Sequence, residues 1–265
     1  MLYITGTPIG NLEDITLRQL RILKEVDLIA AEDTRHSLKL LNYYNIKTKL
    51  ISYHANSTVE KALFLIDLLK EGGQIALVTD AGMPLISDPG FALVRLAYEN
   101  DIKITTVPGP TAFVSGLILS SIPSSKFVFE GFLPAKKNDN VIQSLKKESR
   151  TTCFYEAPHR LLKTLEVLKQ LGSRKISIVR EITKIHEEAL IFNGAEQAIS
   201  HFTNNKPRGE IVIIIEGIED APSFEITIKE HVECFIDEGL SKKDAIKKVA
   251  KLRNLNKSIV YKELI

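Results

Sequence analysis

The feature that most constrains this chain is a regular alternation of short apolar runs and longer amphipathic segments over its first 120 residues. The apolar runs are rich in β-branched residues, which is typical of strands covered on both faces. Strand, helix and strand repeated in this way predict a largely parallel, doubly wound α/β sheet. We predict strands at Leu2–Thr5, Leu28–Glu32, Leu50–Ser52, Ile75–Thr79 and Ile104–Val107, and helices at Ile15–Lys24, Thr34–Tyr43, Val59–Lys70, Gly90–Asn100 and Thr111–Ser120.

The following hundred residues keep the α/β character but lose the strict alternation. The polar segment Ser120–Ser125 interrupts the pattern and is the best candidate for a linker. Two strand signals, Ile176–Val179 and Ala189–Asn193, follow each other with no clear helix between them, which predicts antiparallel pairing and hence a mixed sheet. The other predicted elements are the strands Phe127–Glu130, Thr152–Tyr155 and Ile211–Ile215 and the helices Pro158–Leu171 and Ala195–Phe202.

The end of the chain is helical and basic. An acidic helix over Lys229–Glu238 is ended by Gly239, and Ser241 then caps a basic helix that reaches about Leu252. A short third helix ends at Leu264, so the spacing resembles a helix-turn-helix unit. We therefore predict an N-terminal α/β domain over residues 1–120, a second α/β domain over 121–222 and a helical basic extension over 223–265.

Composition narrows the class of protein. A chain of 265 residues that is 44% hydrophobic and 26% charged has an ordinary globular core, and a net charge of only +2 leaves nucleic-acid binding to local patches. Cys153 and Cys234 match no metal or redox spacing. No cluster of His, Cys, Asp and Glu has the spacing of metal ligands and no nucleophile elbow is present in the sequence, so we expect neither a metal site nor covalent catalysis. Without a leader pattern or an apolar run near the roughly 20 residues of a membrane helix, we expect a soluble cytoplasmic protein with no membrane contact.

Three Gly/Pro loops follow predicted strands, where open α/β sheets place their ligands. They are Gly6–Leu12, Asp80–Gly90 and Pro108–Ala112. The middle loop carries two Asp, two Gly and two Pro in eleven residues, and Gly6 and Gly10 would let the first loop's backbone approach a ligand. A plain strand-to-helix turn is the alternative for each loop, and for Asp88 by itself we expect a helix cap. Taken together, the loops predict one ligand crevice.

Polar loops and basic clusters mark the rest of the chain. Tyr155–Arg160, Arg180–Lys184 and Lys206–Glu210 adjoin predicted strands, and each has a solvated loop as its alternative. Residues 242–257 hold six Lys and one Arg against one acid, and a second basic patch spans 136–150. A solvated face is the usual explanation of such patches. A basic helix in a helix-turn-helix layout favours nucleic acid, with contacts to phosphates more than to bases.

These motifs together resemble the tetrapyrrole-methylase superfamily, and more narrowly its branch that methylates ribosomal RNA. The resemblance covers essentially the whole chain and rests on Gly6–Asp14, Ala31–Arg35, Asp80–Gly90, Pro108–Ala112, Tyr155–Arg160 and Arg180–Lys184. It implies a class III methyltransferase fold, with S-adenosylmethionine in the cleft between two α/β domains, and a homodimer. It also implies 2′-O-methylation of a cytidine in the decoding region of 16S rRNA, on the small ribosomal subunit.

The resemblance also assigns cofactor contacts. These fall on Pro8, Asp80, Ala81, Gly82, Met83, Pro84, Thr111, Ala112, Tyr155 and Gly209. Met83 stands where the tetrapyrrole branch has an Asp, so backbone contacts are expected there. The chain departs from the RNA branch at Tyr53–Ser57, where the branch's later acidic and histidine positions are absent.

A ribose hydroxyl is a poor nucleophile, and a nearby hydrogen-bond acceptor would assist its attack. We hypothesise that this acceptor and the holders of the flanking phosphates are Glu181, Lys184, Glu156, His159 and Arg35. The expected RNA-binding residues are Lys136, Lys137, Arg160, Lys242, Lys243, Lys247, Lys248 and Lys251. Two alternatives are a methyltransferase of the same fold acting on a tetrapyrrole or other small molecule, and a non-catalytic RNA-binding assembly factor.

Overall fold

A computed structural model of the 265-residue chain describes residues 1–134, 139–218, 226–253 and 255–264. The chain divides into two compact units, Met1–Gly217 and Ile218–Ile265. The first unit contains two five-stranded sheets, and the second is helical. The two α/β sheets and the helical end confirm the predicted fold class.

The first sheet is entirely parallel and has the strand order β3-β2-β4-β1-β5. Every residue of β2 and β4 is buried, as expected for strands with helices on both faces. The elements are β1 (Leu2–Thr5), β2 (Leu28–Ala31), β3 (Leu50–Ser52), β4 (Ile75–Val78) and β5 (Ile104–Val107), with α1 (Leu17–Glu25), α2 (Thr34–Tyr43), α3 (Val59–Lys70), α4 (Phe91–Glu99) and α5 (Ala112–Leu119) between and after them.

The second sheet is mixed and has the order β6-β7-β10-β8-β9. β6 pairs with β7 in parallel, and the other three pairings are antiparallel, including the predicted one between β8 and β9. The elements are β6 (Phe127–Phe132), β7 (Thr151–Glu156), β8 (Lys175–Arg180), β9 (Glu188–Asn193) and β10 (Ile211–Ile215), with α6 (Asp139–Leu145), α7 (Leu161–Leu168) and α8 (Ala195–Asn204).

Two helices of this region differ from the sequence-based prediction. α6 was not predicted, although its Ile142 and Leu145 are buried in the core of the second sheet. The helix predicted from Pro158 begins at Leu161, because Ala157–Arg160 form a turn in which the Arg160 N–H donates to the Ala157 carbonyl at 2.9 Å. It ends at Leu168, and Lys169–Leu171 continue as a single 3-10 turn.

A shared apolar cluster joins the two sheets within the first unit. It includes Ile9 from the loop after β1, Leu117 from α5, and Val179, Val212 and Ile214 from the second sheet. Gly116 of α5 lies against Val212, since an added Cβ would stand 3.1 Å from that side chain. Helix α5 and the first Gly/Pro loop therefore pack against the second sheet and join it to the first.

The second unit contains α9 (Ile228–Asp237), α10 (Lys242–Leu252) and α11 (Lys257–Lys262) around a core of small apolar side chains such as Ala245, Val249 and Val260. The predicted cap is present, because the Ser241 hydroxyl accepts the Asp244 N–H at 3.2 Å. The chain thus ends in a three-helix unit as predicted. The boundaries of the predicted domains at 120 and 222 remain predictions.

Leu165 of α7 is fully buried in the core of the second sheet, whereas Leu17 at the start of α1 is 87% exposed. Replacing Leu165 by Ala removes apolar contacts and leaves a cavity, so the free energy of unfolding is expected to fall by about 2–5 kcal/mol. Leu17→Ala is the matched control and should change it by less than about 0.5 kcal/mol. Urea denaturation followed by circular dichroism measures both values, and equal losses would contradict the assigned core.

Candidate active site

The three Gly/Pro loops meet at the carboxyl edge of the first sheet, because β4, β1 and β5 are neighbouring parallel strands. The backbones of Thr7 and Gly82 exchange two hydrogen bonds, with N···O distances of 2.9 and 3.1 Å. The Thr7 hydroxyl also donates to the Thr79 carbonyl at 3.1 Å. The loops after β1 and β4 are therefore fixed to each other as a short antiparallel bridge.

The third loop is held to the first by the close approach of two glycines. A Cβ added to Gly109 would stand 2.5 Å from the amide nitrogen of Gln19, and one added to Gly6 would stand 2.8 Å from the Gly109 Cα. Gln19 is fully buried and donates to the Gly6 carbonyl at 2.7 Å. Gly6 thus serves contact between loops, which differs from the expected role of admitting a ligand.

Gly10 has a different role from the one predicted. A Cβ at Gly10 would stand 2.6 Å from the Cγ of Lys184, which extends from the loop between β8 and β9. Gly10 therefore makes room for a lysine of the second sheet. The glycine was expected to admit a ligand, and sequence spacing could not show that a distant side chain occupies this space.

A cavity of about 360 Å³ lies between the two sheets at these loops. This volume falls within the roughly 300–1,000 Å³ of small-molecule sites. Its walls are mainly apolar, and they come from the loops after β4 and β5 on one side and from β6, β7 and β10 on the other. Such a site suits a small ligand held by shape and by a few polar groups.

Seven of the ten residues predicted to hold a cofactor line this cavity: Ala81, Gly82, Met83, Thr111, Ala112, Tyr155 and Gly209. Pro8, Asp80 and Pro84 belong to the same loops but do not line it. Gly82 has a φ of +82°, a conformation that favours glycine, and this orients its peptide toward the bridge with Thr7. The contacts themselves remain predictions.

Asp88 lines the cavity, and the prediction that it caps α4 was wrong. The N-cap residue is Gly90, which has no side chain with which to cap that helix. Burial raises the pKa of Asp88 to about 6, and the nearby carboxylates of Glu32 and Asp80 add to the shift. A carboxylate of this kind gives an apolar cavity a group that favours a cationic ligand.

Glu32 and Asp80 complete an acidic cluster beneath the Asp80–Gly90 loop. The Thr79 hydroxyl donates to Glu32 Oε2 at 2.6 Å, and Asp80 accepts the Asp33 N–H at 3.1 Å. Burial raises the pKa of Asp80 as well. Asp80 therefore acts on the site through its charge and through the start of α2, and it does not touch the cavity.

Glu181 and Lys184, two of the predicted catalytic residues, form an ion pair at the edge of the cavity. Lys184 Nζ lies 2.8 Å from Glu181 Oε1 and 3.0 Å from Glu210 Oε2. Glu181 Oε1 also accepts the Glu210 N–H at 3.1 Å. A Cβ on Gly209 would overlap the Glu181 carboxylate, so this carboxylate lies directly against a peptide that lines the cavity.

The electrostatics of this pair keep both groups charged. The hydrogen bond from Lys184 lowers the pKa of Glu181. Burial opposes the charge of Lys184, but hydrogen bonds to Glu181 and Glu210 raise its pKa overall. An ionised Glu181 can accept a hydrogen bond from a hydroxyl, whereas its lowered pKa makes it a weak base.

The loop that carries this pair has a strained backbone. Glu181 has a φ of +52° and Thr183 a φ of +67°, values that are rare for residues with a Cβ and most of all for a β-branched one. Strain of this kind persists where surrounding contacts fix it, and it clusters at functional sites. Here the ion pair to Glu210 supplies such contacts.

Glu156 lines the cavity, but its carboxylate is used within the fold. It accepts the Ala157 N–H at 2.8 Å and the Thr164 hydroxyl, and it lies 3.3 Å from Arg160 Nε. Arg160 also donates to the Leu133 carbonyl. These bonds hold the turn between β7 and α7, so the structure places Glu156 and the predicted RNA contact Arg160 in a structural network.

The other predicted catalytic residues lie outside the cavity. His159 is exposed in the turn before α7. The Arg35 side chain is 89% exposed and forms an ion pair with Asp33 at 2.6 Å. Among the predicted RNA contacts, Lys242, Lys243, Lys247, Lys248 and Lys251 are exposed on α10, and Lys136 and Lys137 lie outside the described residues.

Several cavity residues were missed by the sequence-based prediction. They include Ile9, Ile86, Asp88, Phe132, Ile182, Glu210 and Val212. Glu210 and Ile182 belong to loops whose polar neighbours were recognised, so their motifs carried a signal. Phe132 and Val212 read as ordinary strand residues, and only the packing of the two sheets brings them to the cavity.

Within residues 1–134, 139–218, 226–253 and 255–264, no cluster of three or more His, Cys, Asp or Glu residues has the arrangement of a metal site. In the same ranges no helix has the length and apolarity needed to span a bilayer.

Comparison with known proteins defines the class. A family model described as Tetrapyrrole (Corrin/Porphyrin) Methylases matches residues 1–198. Solved structures share the fold: cobalt precorrin-4 methyltransferase has a TM-score of 0.62 at 18% identity, covering 81% of this chain and 94% of that one. Diphthine synthase has a TM-score of 0.65 at 12% identity, covering 82% and 90%. The chain therefore belongs to the tetrapyrrole-methylase family and has the fold of its methyltransferases.

Closer relatives are named ribosomal RNA small subunit methyltransferase I. The protein from Thermotoga maritima is 50% identical over 82% of this chain and 99% of its own length. Those from Halalkalibacterium halodurans and Bacillus subtilis are 45% and 42% identical, each over 98% of this chain and over 93% and 92% of their own lengths. The chain belongs to this family, which confirms the resemblance seen in its motifs.

The cofactor prediction is likewise confirmed, because methyltransferases of this fold use S-adenosylmethionine. A uroporphyrin-III C-methyltransferase from Thermus thermophilus with a TM-score of 0.57, at 18% identity over 81% of this chain and 96% of that one, was solved in complex with S-adenyl homocysteine. The cavity described here fits such a group: it is apolar, it has a suitable volume, and Asp88 gives it a carboxylate for a cationic donor.

Asp88 predicts a pH-dependent stability. Its carboxyl ionises near pH 3.8 in an unfolded chain and near pH 6 in the folded protein, so the folded state binds the proton more tightly. The free energy of unfolding should therefore fall as pH rises from about 4 to about 6, and the cost should persist above that range. Asp88→Asn removes the cost and should stabilise the ligand-free protein at about pH 7.5 by on the order of 1 kcal/mol after discounting for solvent screening.

Denaturant unfolding of wild type and Asp88→Asn at about pH 4 and about pH 7.5 measures this difference. The gain should disappear at the lower pH. Asp67→Asn, on the exposed face of α3, controls for the loss of a carboxylate. A gain of the same size at both pH values would contradict the burial of an ionised Asp88.

Proposed function

We propose that this chain transfers a methyl group from S-adenosylmethionine to the ribose 2′-oxygen of a cytidine in the decoding region of 16S rRNA, within the small ribosomal subunit. The observation that carries the proposal is the cavity between the sheets, which has the Glu181–Lys184 pair against its Gly209 wall. The names of relatives 39–50% identical to the chain support ribosomal RNA as the substrate. The ribose and the cytidine rest on the resemblance of the motifs.

The residues of the cavity account for binding of the donor. Ala81, Gly82 and Met83 form one wall, Thr111 and Ala112 a second, and β10 with Tyr155 the third. When bound, S-adenosylmethionine supplies a methyl group on a positively charged sulfur. Asp88 offsets that charge within an apolar enclosure, and the apolar walls exclude water from the reacting atoms.

Glu181 and Lys184 account for activation of the hydroxyl. In this proposal Glu181 accepts the hydrogen bond of the ribose hydroxyl and so orients its oxygen toward the cavity. Lys184 holds the Glu181 carboxylate in place and balances its charge. Gly209 carries no side chain between the carboxylate and the cavity, so the hydroxyl can approach both. Glu156 keeps the adjoining turn in position through Thr164 and Arg160.

Binding of the RNA is assigned in part to the basic helix α10, whose five lysines are exposed. The Thermotoga relative matches this chain over 99% of its own length. The matched part of this chain is about as long as the first unit, and the remainder of the chain is unmatched. This supports a division in which the first unit carries methyl transfer and the extension adds affinity. A homodimer in the cytoplasm completes the proposal.

Incubation of the protein with labelled S-adenosylmethionine and small ribosomal subunits that lack the modification tests this function. We expect label on one cytidine of 16S rRNA, and mass spectrometry of the digested RNA should place it on the ribose. Label on the base, or on protein alone, would contradict ribose methylation. Calorimetry with S-adenosylmethionine distinguishes an enzyme from a non-catalytic assembly factor.

Variants of the ion pair test the assigned roles. Glu181→Ala should lower kcat by about 10²-fold or more, because it removes the hydrogen-bond acceptor that orients the ribose hydroxyl, while the affinity for S-adenosylmethionine changes little. Lys184→Ala should lower kcat as well, by releasing the carboxylate. The exposed i,i+3 pair Glu166–Lys169 provides the matched control, and its alanine variants should act at the wild-type rate. A wild-type kcat for Glu181→Ala would exclude its assigned role.

A further inference from the structure

A second, polar groove of about 530 Å³ lies in the first unit beside the cavity. It is lined by side chains from three parts of the chain. These are Arg180 at the end of β8, His186 and Glu188 just before and at the start of β9, and His201 of α8 with Lys206 and Arg208 of the segment between α8 and β10. None of these residues lines the apolar cavity. The lining of the groove is polar where that of the cavity is apolar, so the two suit different ligands.

The charge of the groove is positive once its ion pairs are counted. Arg180 lies 2.5 Å from Glu188, and Glu181, which also lines the groove, lies 2.8 Å from Lys184. These pairs neutralise the two acids. Lys206 and Arg208 are exposed, and neither forms an ion pair with any residue that the structure describes. These two exposed cations thus remain after the acids of the groove have been paired with Arg180 and Lys184.

The groove and the cavity share a wall. Arg208 lines the groove, and the next two residues, Gly209 and Glu210, line the cavity. Residues two apart in a chain have Cα atoms separated by at most about 7 Å. The groove is therefore within reach of nucleotides that neighbour a ribose at the mouth of the cavity.

We propose that this groove binds the phosphates of the RNA strand next to the methylated nucleotide, with Arg208 and Lys206 as the main contacts. The inference rests on the proposed function for the identity of the strand. Arginine offers a planar fork of donors that matches phosphate oxygens, and lysine adds a point charge. The exposed ring of His186 is available to stack on an adjacent base, whereas the His201 ring already packs against Phe192 and Phe202. The shape of the groove, open and polar, fits a passing strand.

A double variant, Lys206→Gln/Arg208→Gln, tests this assignment. The matched control is Lys70→Gln/Lys103→Gln, which removes two exposed lysines at the amino ends of β4 and β5, the opposite edge of the first sheet. Fluorescence anisotropy measures the affinity of each protein for a labelled single-stranded oligoribonucleotide over a range of salt concentrations. Methylation of small ribosomal subunits measures KM and kcat, and calorimetry measures the affinity for S-adenosylmethionine.

We expect the groove variant to bind RNA about tenfold more weakly, with the slope of log affinity against log salt reduced by about 0.7 for each lost phosphate contact. KM for subunits should rise in parallel, while kcat at saturation and the affinity for S-adenosylmethionine stay near wild type. Unchanged RNA affinity and slope would overturn the proposal. Competition by inorganic phosphate is a further test. If phosphate competes with RNA for the wild-type protein but not for the groove variant, and the salt slopes of these two proteins are equal, the groove is a site for a free anion and the proposal is overturned as well.

The anisotropy readout is independent of methyl transfer. If wild-type protein modifies no ribose but the groove variant still loses RNA affinity, the proposed function fails and the groove assignment stands. If wild-type protein modifies the ribose and the two double variants behave alike, the function stands and the groove assignment fails.

Discussion

The structure depends on one constraint: β4, β1 and β5 are adjacent and parallel, so the three loops that leave them must share one edge of the sheet. Two backbone hydrogen bonds between Thr7 and Gly82 and the contact of Gly6 with Gly109 then hold those loops at fixed separations. Because these bonds join main chain to main chain, they fix the floor of the cavity with little dependence on side-chain rotamers. The buried amide of Gln19 ties α1 to the same point. Everything the second sheet contributes is added to this preformed edge.

The cavity combines two demands that oppose each other. An apolar enclosure strengthens electrostatic interactions, but it also makes an ionised carboxylate such as Asp88 costly. Glu32 and Asp80 add to that cost, so the ligand-free protein is less stable than its core alone would allow. A bound cation relieves the repulsion, and binding and stability are therefore coupled through the same three acids. The strained backbone at Glu181 and Thr183 is a second feature of the site that lowers the free energy of unfolding.

Much of this arrangement could be predicted from sequence, and the remainder could not for physical reasons. The ten strands followed from short apolar runs, and the shared crevice followed from three Gly/Pro loops at strand ends. α6 was missed because a seven-residue helix offers too few turns for periodicity to show. Asp88 was taken for a cap because an Asp just before a helix usually is one, and only the fold shows that Gly90 intervenes. Gly10 was assigned to a ligand because its actual neighbour, Lys184, lies far away in sequence. The sequence therefore predicted strands and loop motifs, which depend on neighbouring residues, whereas it did not predict contacts between the two sheets.

Gly209 has a consequence for how the site can change over evolution. With a φ of +78° and with Glu181 filling the space where a Cβ would project, this position admits no other residue without displacing the carboxylate. Gly209 thus lies between the cavity that it lines and the Glu181 carboxylate that lines the groove. Substitutions at Lys206, Arg208 and the surrounding loop can change substrate preference. Substitutions in the opposite walls of the cavity can change donor binding, and Gly209 is unchanged in both cases. The residues that set the two specificities therefore occupy different positions in the sequence, even though Arg208 of the groove is directly followed by Gly209 of the cavity.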